Sequence, residues 1–109
     1  MDFNQYQIKS NTNVLYQPIV HEVIYPLLYL TCKSGVVVES IKKLLKENDG
    51  VFSIEDSRRI RMELGDVLYA LAQISTKLSI QLNDIAETNL NKFTDLKERG
   101  VISGNGDQR

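Results

Sequence analysis

The sequence contains few of the residues that build covalent cross-links or zinc sites. Its 109 residues include one cysteine, Cys32, and one histidine, His21. A single cysteine excludes an internal disulfide bond, and the usual burial of this residue type predicts a small buried or half-buried side chain. Because His21 has no cysteine or second histidine at ligand spacing, we expect it to lie on the surface or to pack in a loop.

Strong net charge and long apolar runs are also absent. The net charge is −1, so the chain lacks the basic field that would attract nucleic acid. Pro26, Lys33 and Glu39 interrupt the longest apolar stretches, so no segment is expected to span a membrane. Residues 1–4 lack the basic and then apolar pattern of a signal peptide. We therefore expect a cytoplasmic protein without nucleic-acid or membrane partners.

The prolines and glycines divide the first half of the chain. Pro18 and Pro26 lie in the first quarter. We predict a short helix over residues 3–9, a loop, and a long helix that begins near Ile24 or Pro26, since proline is tolerated in a first helical turn. This long helix is expected to stop at Gly50. The β-branched run at residues 36–38 is brief and flanked by helix formers, so we expect it to stay helical.

Two more helices are predicted downstream, within one domain over residues 1–109. Ser53 precedes acidic residues and is a good helix start, because its oxygen and their charge complement the exposed N–H groups. The following helix, over about residues 54–78, carries apolar residues at steps of three and four. Asn83 is predicted to cap a last helix that ends at Gly100. These patterns predict an all-α protein.

Two acidic residues of the third predicted helix suit metal chemistry. Glu63 and Asp66 are three positions apart, so they lie on one helix face and can point into a groove between helices. Hard oxygen donors at this spacing suit Mg²⁺, which prefers carboxylates, waters and substrate phosphates. The alternative is that both acids form a solvated flank of the helix.

The surrounding residues resemble a known family along nearly the whole chain. Residues 63–69, Glu-Leu-Gly-Asp-Val-Leu-Tyr, are similar to the second metal motif of the MazG-like nucleoside triphosphate pyrophosphohydrolases. The resemblance continues through residues 89–93 and closes with residues 99–109, Arg-Gly-Val-Ile-Ser-Gly-Asn-Gly-Asp-Gln-Arg. Upstream, Gly35, Glu39 and residues 41–45 match the family's first motif, and residues 3–7 resemble its opening segment.

This resemblance implies a four-helix fold with two long antiparallel helices and a shorter helix on each side, assembled as a homodimer or homotetramer. Members of the family split nucleoside triphosphates into the monophosphate and pyrophosphate. They hold Mg²⁺ with E-x-x-E on one long helix and E-x-x-D on the next. Asn89 and Lys92 match the family's N-x-x-K, where polar groups approach the nucleotide; the alternative is that both are solvated.

The first metal motif departs from the family pattern. When Gly35 and Glu39 are aligned, the two family glutamates that bind metal fall at Lys33 and Val36. Valine has no donor atom, and an ammonium carries the wrong charge. Glu39 is retained almost one turn further on. The resemblance therefore leaves Glu63 and Asp66 as catalytic residues, and Glu63, Asp66 and Glu39 as metal ligands, with Mg²⁺ as cofactor if the chain is active.

Lys33 has two interpretations. Its ammonium can pair with Glu63 or Asp66, which lack the other half of their metal site, or it can extend to water along its aliphatic stem. Three functions remain open at this point. The chain is a pyrophosphohydrolase with a reduced metal site, a nucleotide-binding protein that lost catalysis, or a helical oligomer used for interaction alone.

Overall fold

A computed structural model describes residues 1–12 and 23–100 of the chain. These residues form four α-helices and no strand, which confirms the all-α prediction. The helices are α1 (Phe3–Thr12), α2 (Ile24–Asn48), α3 (Ile54–Lys77) and α4 (Leu82–Glu98). None of them is both long and apolar enough to cross a membrane. The prediction for His21 lies outside the described part of the chain, as do residues 101–109 of the family resemblance.

The two long helices begin and end where local chemistry predicts. Residues 36–38 are helical, and α2 ends where Asp49 and Gly50 take left-handed conformations, with φ of 52° and 79°. At the start of α3, the Ser53 hydroxyl accepts a hydrogen bond from the Asp56 N–H, and the Asp56 carboxylate accepts one from the Ser53 N–H, both at 3.0 Å. The bonds from Ser53, helped by Arg59, lower the pKa of Asp56. This capping box fixes the start of α3.

The packing of α2 against α3 forms the main contact of the fold, and the two helices are antiparallel. Tyr29 of α2 meets Tyr69 of α3, and further along α2 Ser40 meets Glu63. The core is small for two helices of this length. Among the described residues, the buried apolar side chains number seven: Pro26, Leu44, Ile60, Ala70, Ala72, Leu82 and Leu96.

The two short helices lie beside the long pair and pack on α3 and on each other, in agreement with the predicted four-helix architecture. Helix α1 packs on α3 and α4, and α4 contacts α1 and, to a smaller extent, α3. Within the described residues, the backbone of neither short helix approaches that of α2 closely. Helix α1 also runs to Thr12 instead of residue 9, and its Ser10 and Thr12 hydroxyls donate to carbonyls three residues earlier. Cys32 is exposed, contrary to expectation.

The Gln7 side chain joins α1 to the turn between α3 and α4. Its amide nitrogen donates to the Thr76 hydroxyl at 3.1 Å and to the Ile80 carbonyl at 2.9 Å. Its oxygen accepts from the Leu82 N–H at 2.9 Å. One side chain therefore supplies an acceptor for the first turn of α4.

This arrangement overturns the prediction that Asn83 caps the last helix. The residue before α4 is Gln81, whose side chain makes no cap bond. Asn83 lies inside the helix, and its amide donates to Glu87 one turn later at 3.3 Å. The acceptor comes from Gln7, a residue distant in sequence, so the local pattern around Asn83 held no signal for it.

We predict that Gln7→Ala lowers the free energy of unfolding by about 1–3 kcal/mol, because it leaves the Leu82 N–H and the Ile80 carbonyl without their partner. Urea denaturation measures the difference. Gln81→Ala is the matched control and should change stability by less than about 0.5 kcal/mol. Equal losses in the two variants would contradict the role assigned to Gln7.

Candidate functional site

The antiparallel packing of α2 and α3 places Lys33 opposite Asp66. The Lys33 Nζ lies 3.7 Å from the Asp66 Oδ2, and the two side chains are 31% and 44% exposed. The sequence-based hypothesis that Lys33 pairs with one of the two acids is therefore confirmed in its geometry. Because both groups are part-exposed, the pair is closer in strength to a surface ion pair than to a buried one.

Tyrosines from three helices surround this ion pair. The Lys33 ammonium lies 5.3 Å from the centre of the Tyr29 ring, within range of a cation–π contact. Tyr29 and Tyr69 meet edge to face with ring centres 5.8 Å apart. Burial and the nearby Asp66 carboxylate raise the pKa of Tyr29, while Lys33 opposes that shift. Burial raises the pKa of Tyr6 of α1, and the neighbouring Tyr69 and Asp66 raise it further.

Glu63 lies apart from the Lys33–Asp66 pair and has a different partner. The Ser40 hydroxyl donates to the Glu63 Oε2 at 2.9 Å. The other oxygen, Oε1, is buried and has no hydrogen-bond partner among the described residues. Sequence reasoning missed Ser40, although its position two helical turns after Lys33 places both residues on the same side of α2.

The acids predicted to bind metal do not gather into a metal site. Glu39 is exposed, and no group of three or more His, Cys, Asp or Glu side chains in residues 1–12 and 23–100 is arranged to hold a metal ion. Val36 is 37% exposed at the position of a lost ligand. With an ammonium beside Asp66 and a hydroxyl on Glu63, the residues present in one chain do not fit Mg²⁺.

The predicted nucleotide-binding residues lie on another helix. Asn89 and Lys92 line a groove of about 360 Å³ on α4, together with Ile80, Asp84, Ile85 and Thr88. The fold brings Asn89 and Lys92 together, but the groove that they line includes neither Lys33 nor Asp66.

A polar cavity of about 400 Å³ adjoins Ser40 between α2 and α3. Its lining residues are Ser40, Lys43, Leu44, Glu47, Asp56 and Arg59. The positive charges of Lys43 and Arg59 are balanced by the negative charges of Glu47 and Asp56. Arg59 already lies 3.5 Å from Asp56. The cavity therefore has no excess of positive charge for a phosphate group.

Comparison with known proteins agrees with this architecture. The family model of the MazG nucleotide pyrophosphohydrolase domain matches residues 26–100, and the chain belongs to this family. Among curated proteins, the chain is similar to the Gene 37 protein of Mycobacterium phage L5, with 32% identity over 114 residues and 100% of both chains covered. No solved structure is significantly similar to the chain.

We predict that Lys33→Met lowers the free energy of unfolding by about 1 kcal/mol. This loss is at the low end of the range for removing a charged hydrogen-bonding group, because both side chains of the pair are part-exposed. The methionine keeps much of the apolar stem of the lysine, so the loss of stability measures the contribution of the ammonium group. Lys42→Met, an exposed position on the same helix, is the control. The difference between the two variants should shrink at high salt, which screens the pair. No difference at low salt would rule out a stabilising ion pair.

Proposed function

We propose that the chain is a nucleotide-binding member of the MazG family whose conversion of nucleoside triphosphates to monophosphates and pyrophosphate is weak or absent. The observation that carries this proposal is the Lys33 Nζ at 3.7 Å from the Asp66 Oδ2. In the family pattern, the position of Lys33 holds a carboxylate that binds metal, so this substitution reverses the charge where the cofactor binds.

The size of the electrostatic effect supports weak activity. A divalent ion about 4 Å from an ammonium is repelled by about 8 kcal/mol at an effective dielectric constant of 20. The remaining acids, Glu63 and Asp66, must offset that repulsion while Glu63 also accepts the Ser40 hydrogen bond. If some activity remains, Mg²⁺ is the expected cofactor, and the substrate phosphates would have to complete its coordination shell.

We predict very slow or undetectable Mg²⁺-dependent pyrophosphate release from nucleoside triphosphates by the wild-type chain. The double variant Lys33→Glu/Val36→Glu should bind Mg²⁺ or Mn²⁺, because it restores both lost carboxylates opposite Glu63 and Asp66. Isothermal titration with the metal alone and a pyrophosphate release assay measure the two effects.

The quadruple variant that also carries Glu63→Gln and Asp66→Asn is the matched control, since it restores one acidic pair while removing the other. It should lose the metal binding gained by the double variant. Brisk pyrophosphate release by the wild-type chain, abolished by a chelator, would overturn the proposal.

The proposal includes self-association as a homodimer or homotetramer through an apolar face of the α2–α3 pair. This apolar face comprises Leu27, Val38 and Leu45 of α2 with Leu64 and Leu71 of α3, which are between 40% and 64% exposed. Within each helix these positions are seven or eleven residues apart, close to whole numbers of turns. They form two aligned stripes, and a groove of about 640 Å³ accompanies the stripe on α2.

A second chain is the occupant that fits this face. The seven buried apolar residues of the described part of the chain form a small core, so packing two such layers together would give the long helices a shared core. The family resemblance also implies an oligomer. If Asn89 and Lys92 contact a nucleotide beside Lys33 of α2, a partner chain would supply them, because in the described residues the backbone of α4 does not approach that of α2.

We predict an oligomer in light scattering at micromolar concentration, with an interface above about 1,000 Å² of total buried area. Leu64→Glu should shift the chain toward monomer, because it places a charge in the apolar face. Met62→Glu is the control: Met62 is 70% exposed but lies about 200° round α3 from Leu64. A wild-type monomer, or equal effects of the two variants, would contradict the assigned face.

The exposed apolar face also favours a second candidate, a helical protein used for interaction alone. This candidate predicts association without nucleotide binding. Thermal stabilisation by nucleotides separates the two, since a ligand that binds only the folded state raises the melting temperature.

A further inference from the structure

The turn between α2 and α3 exposes apolar side chains at one end of the long helix pair. Val51, Phe52 and Ile54, which we call the apolar tip, are between 41% and 82% exposed. The turn lies against the last leucine of the proposed apolar face on α2, because a Cβ placed on Gly50 would be 3.2 Å from the Leu45 Cδ2 atom. Exposed apolar side chains that lie together often mark a contact surface.

A groove of about 420 Å³ lies at the other end of α3, where α1 meets the turn into α4. Ile8 and Ile80 form its apolar lining and are 69% and 43% exposed. The other described residues that line it carry amide or hydroxyl groups, so the groove suits an uncharged apolar occupant better than a charged one. The stripe formed by Leu64 and Leu71 leads toward this groove, because Leu78, seven residues after Leu71, is also exposed.

We propose that the apolar tip of one chain docks in this groove of a second copy, in a two-fold symmetric dimer whose α3 helices run antiparallel. The inference rests on the proposed self-association and adds the direction of the pairing and a second contact surface. The proposed apolar face has five side chains, whereas a standard interface has about 20–30 residues on each side. The interface must therefore extend beyond that face, and the tip and the groove continue it at its two ends.

The register of an antiparallel pairing brings the tip and the groove together. In a two-fold dimer, a contact between Leu64 of one chain and Leu71 of the second chain is repeated with the chains exchanged. Both helices rise by the same distance per residue. Ile54 comes ten positions before Leu64, so it lies opposite the region ten positions after Leu71 in the second chain. That region is the turn that contains Ile80 and Gln81, which line the groove.

Two-fold symmetry also makes the assembly closed. Each tip and each groove of the dimer is used once, so the apolar side chains at both ends of the molecule are covered. A tip-to-groove contact repeated without this symmetry would leave one tip and one groove open, and it could continue into a filament. The antiparallel dimer is the arrangement that covers both surfaces with two chains.

The test cross-links cysteines placed at the two surfaces. In a Cys32→Ser background, Ile54→Cys and Ile80→Cys are made separately and together, and a short bis-maleimide is added. The 24 residues of α3 span about 36 Å, so the reagent cannot join the two cysteines within one chain. We expect cross-linked dimers from the double variant and from a mixture of the two single variants, and none from either single variant alone.

Glutamate substitutions measure how much the contact contributes to association. Ile54→Glu and Ile80→Glu should each weaken self-association at least about tenfold, or about 1.4 kcal/mol. Ile54→Glu should leave the fold intact, because an acid suits the first turn of a helix. Met62→Glu, on the side of α3 away from the proposed apolar face, is the matched control and should change the dissociation constant by less than about twofold, or about 0.4 kcal/mol. Analytical ultracentrifugation measures these constants.

Three results would overturn the inference, and they are distinguishable. Cross-linking of either single-cysteine variant with itself would show a parallel pairing and refute the antiparallel register. An oligomer that is weakened by Leu64→Glu but not by Ile54→Glu, and that gives no cross-link between positions 54 and 80, would refute this contact and leave the proposed apolar face. A wild-type monomer would refute the proposed self-association as well.

Discussion

The antiparallel contact between α2 and α3 is the constraint on which the rest of the molecule depends. It decides which residue of one helix faces which residue of the other, so Lys33 meets Asp66 and Ser40 meets Glu63. These pairings follow from the register of two long helices and not from any loop. A change of residue type at one position of α2 therefore changes the chemistry at a fixed position of α3, with little freedom to adjust.

Lys33 and Ser40 of α2 supply the partners of the two acids of α3. A carboxylate left without metal still needs a counter-charge or a hydrogen-bond donor when it is part-buried. Asp66 receives an ammonium and Glu63 receives a hydroxyl, and each contact comes from the helix that carries the family's first metal motif. The two acids of α3 therefore have partners within the chain itself, whether or not a metal ion binds beside them.

Local chemistry made part of this structure predictable from sequence. The start of α3 was predictable because Ser53 and Asp56 satisfy each other within one turn. The Lys33–Asp66 pair was predictable because the family resemblance placed both positions at one site. The start of α4 was not, since its acceptor comes from Gln7, 75 positions away. The Ser40–Glu63 contact depends on how α2 is positioned along α3. The residue pattern of either helix alone does not determine that position.

The same two helices can serve a site and an assembly because these use different sides. Val38 is five residues after Lys33, about 140° round α2, and Leu64 is two residues before Asp66, about 160° round α3. The proposed apolar face therefore points away from the Lys33–Asp66 pair on both helices. Positions 33 and 36 therefore lie outside the proposed face, and a substitution at either position is not expected to change self-association directly. The proposed site and the proposed association face can thus vary independently on the same two helices.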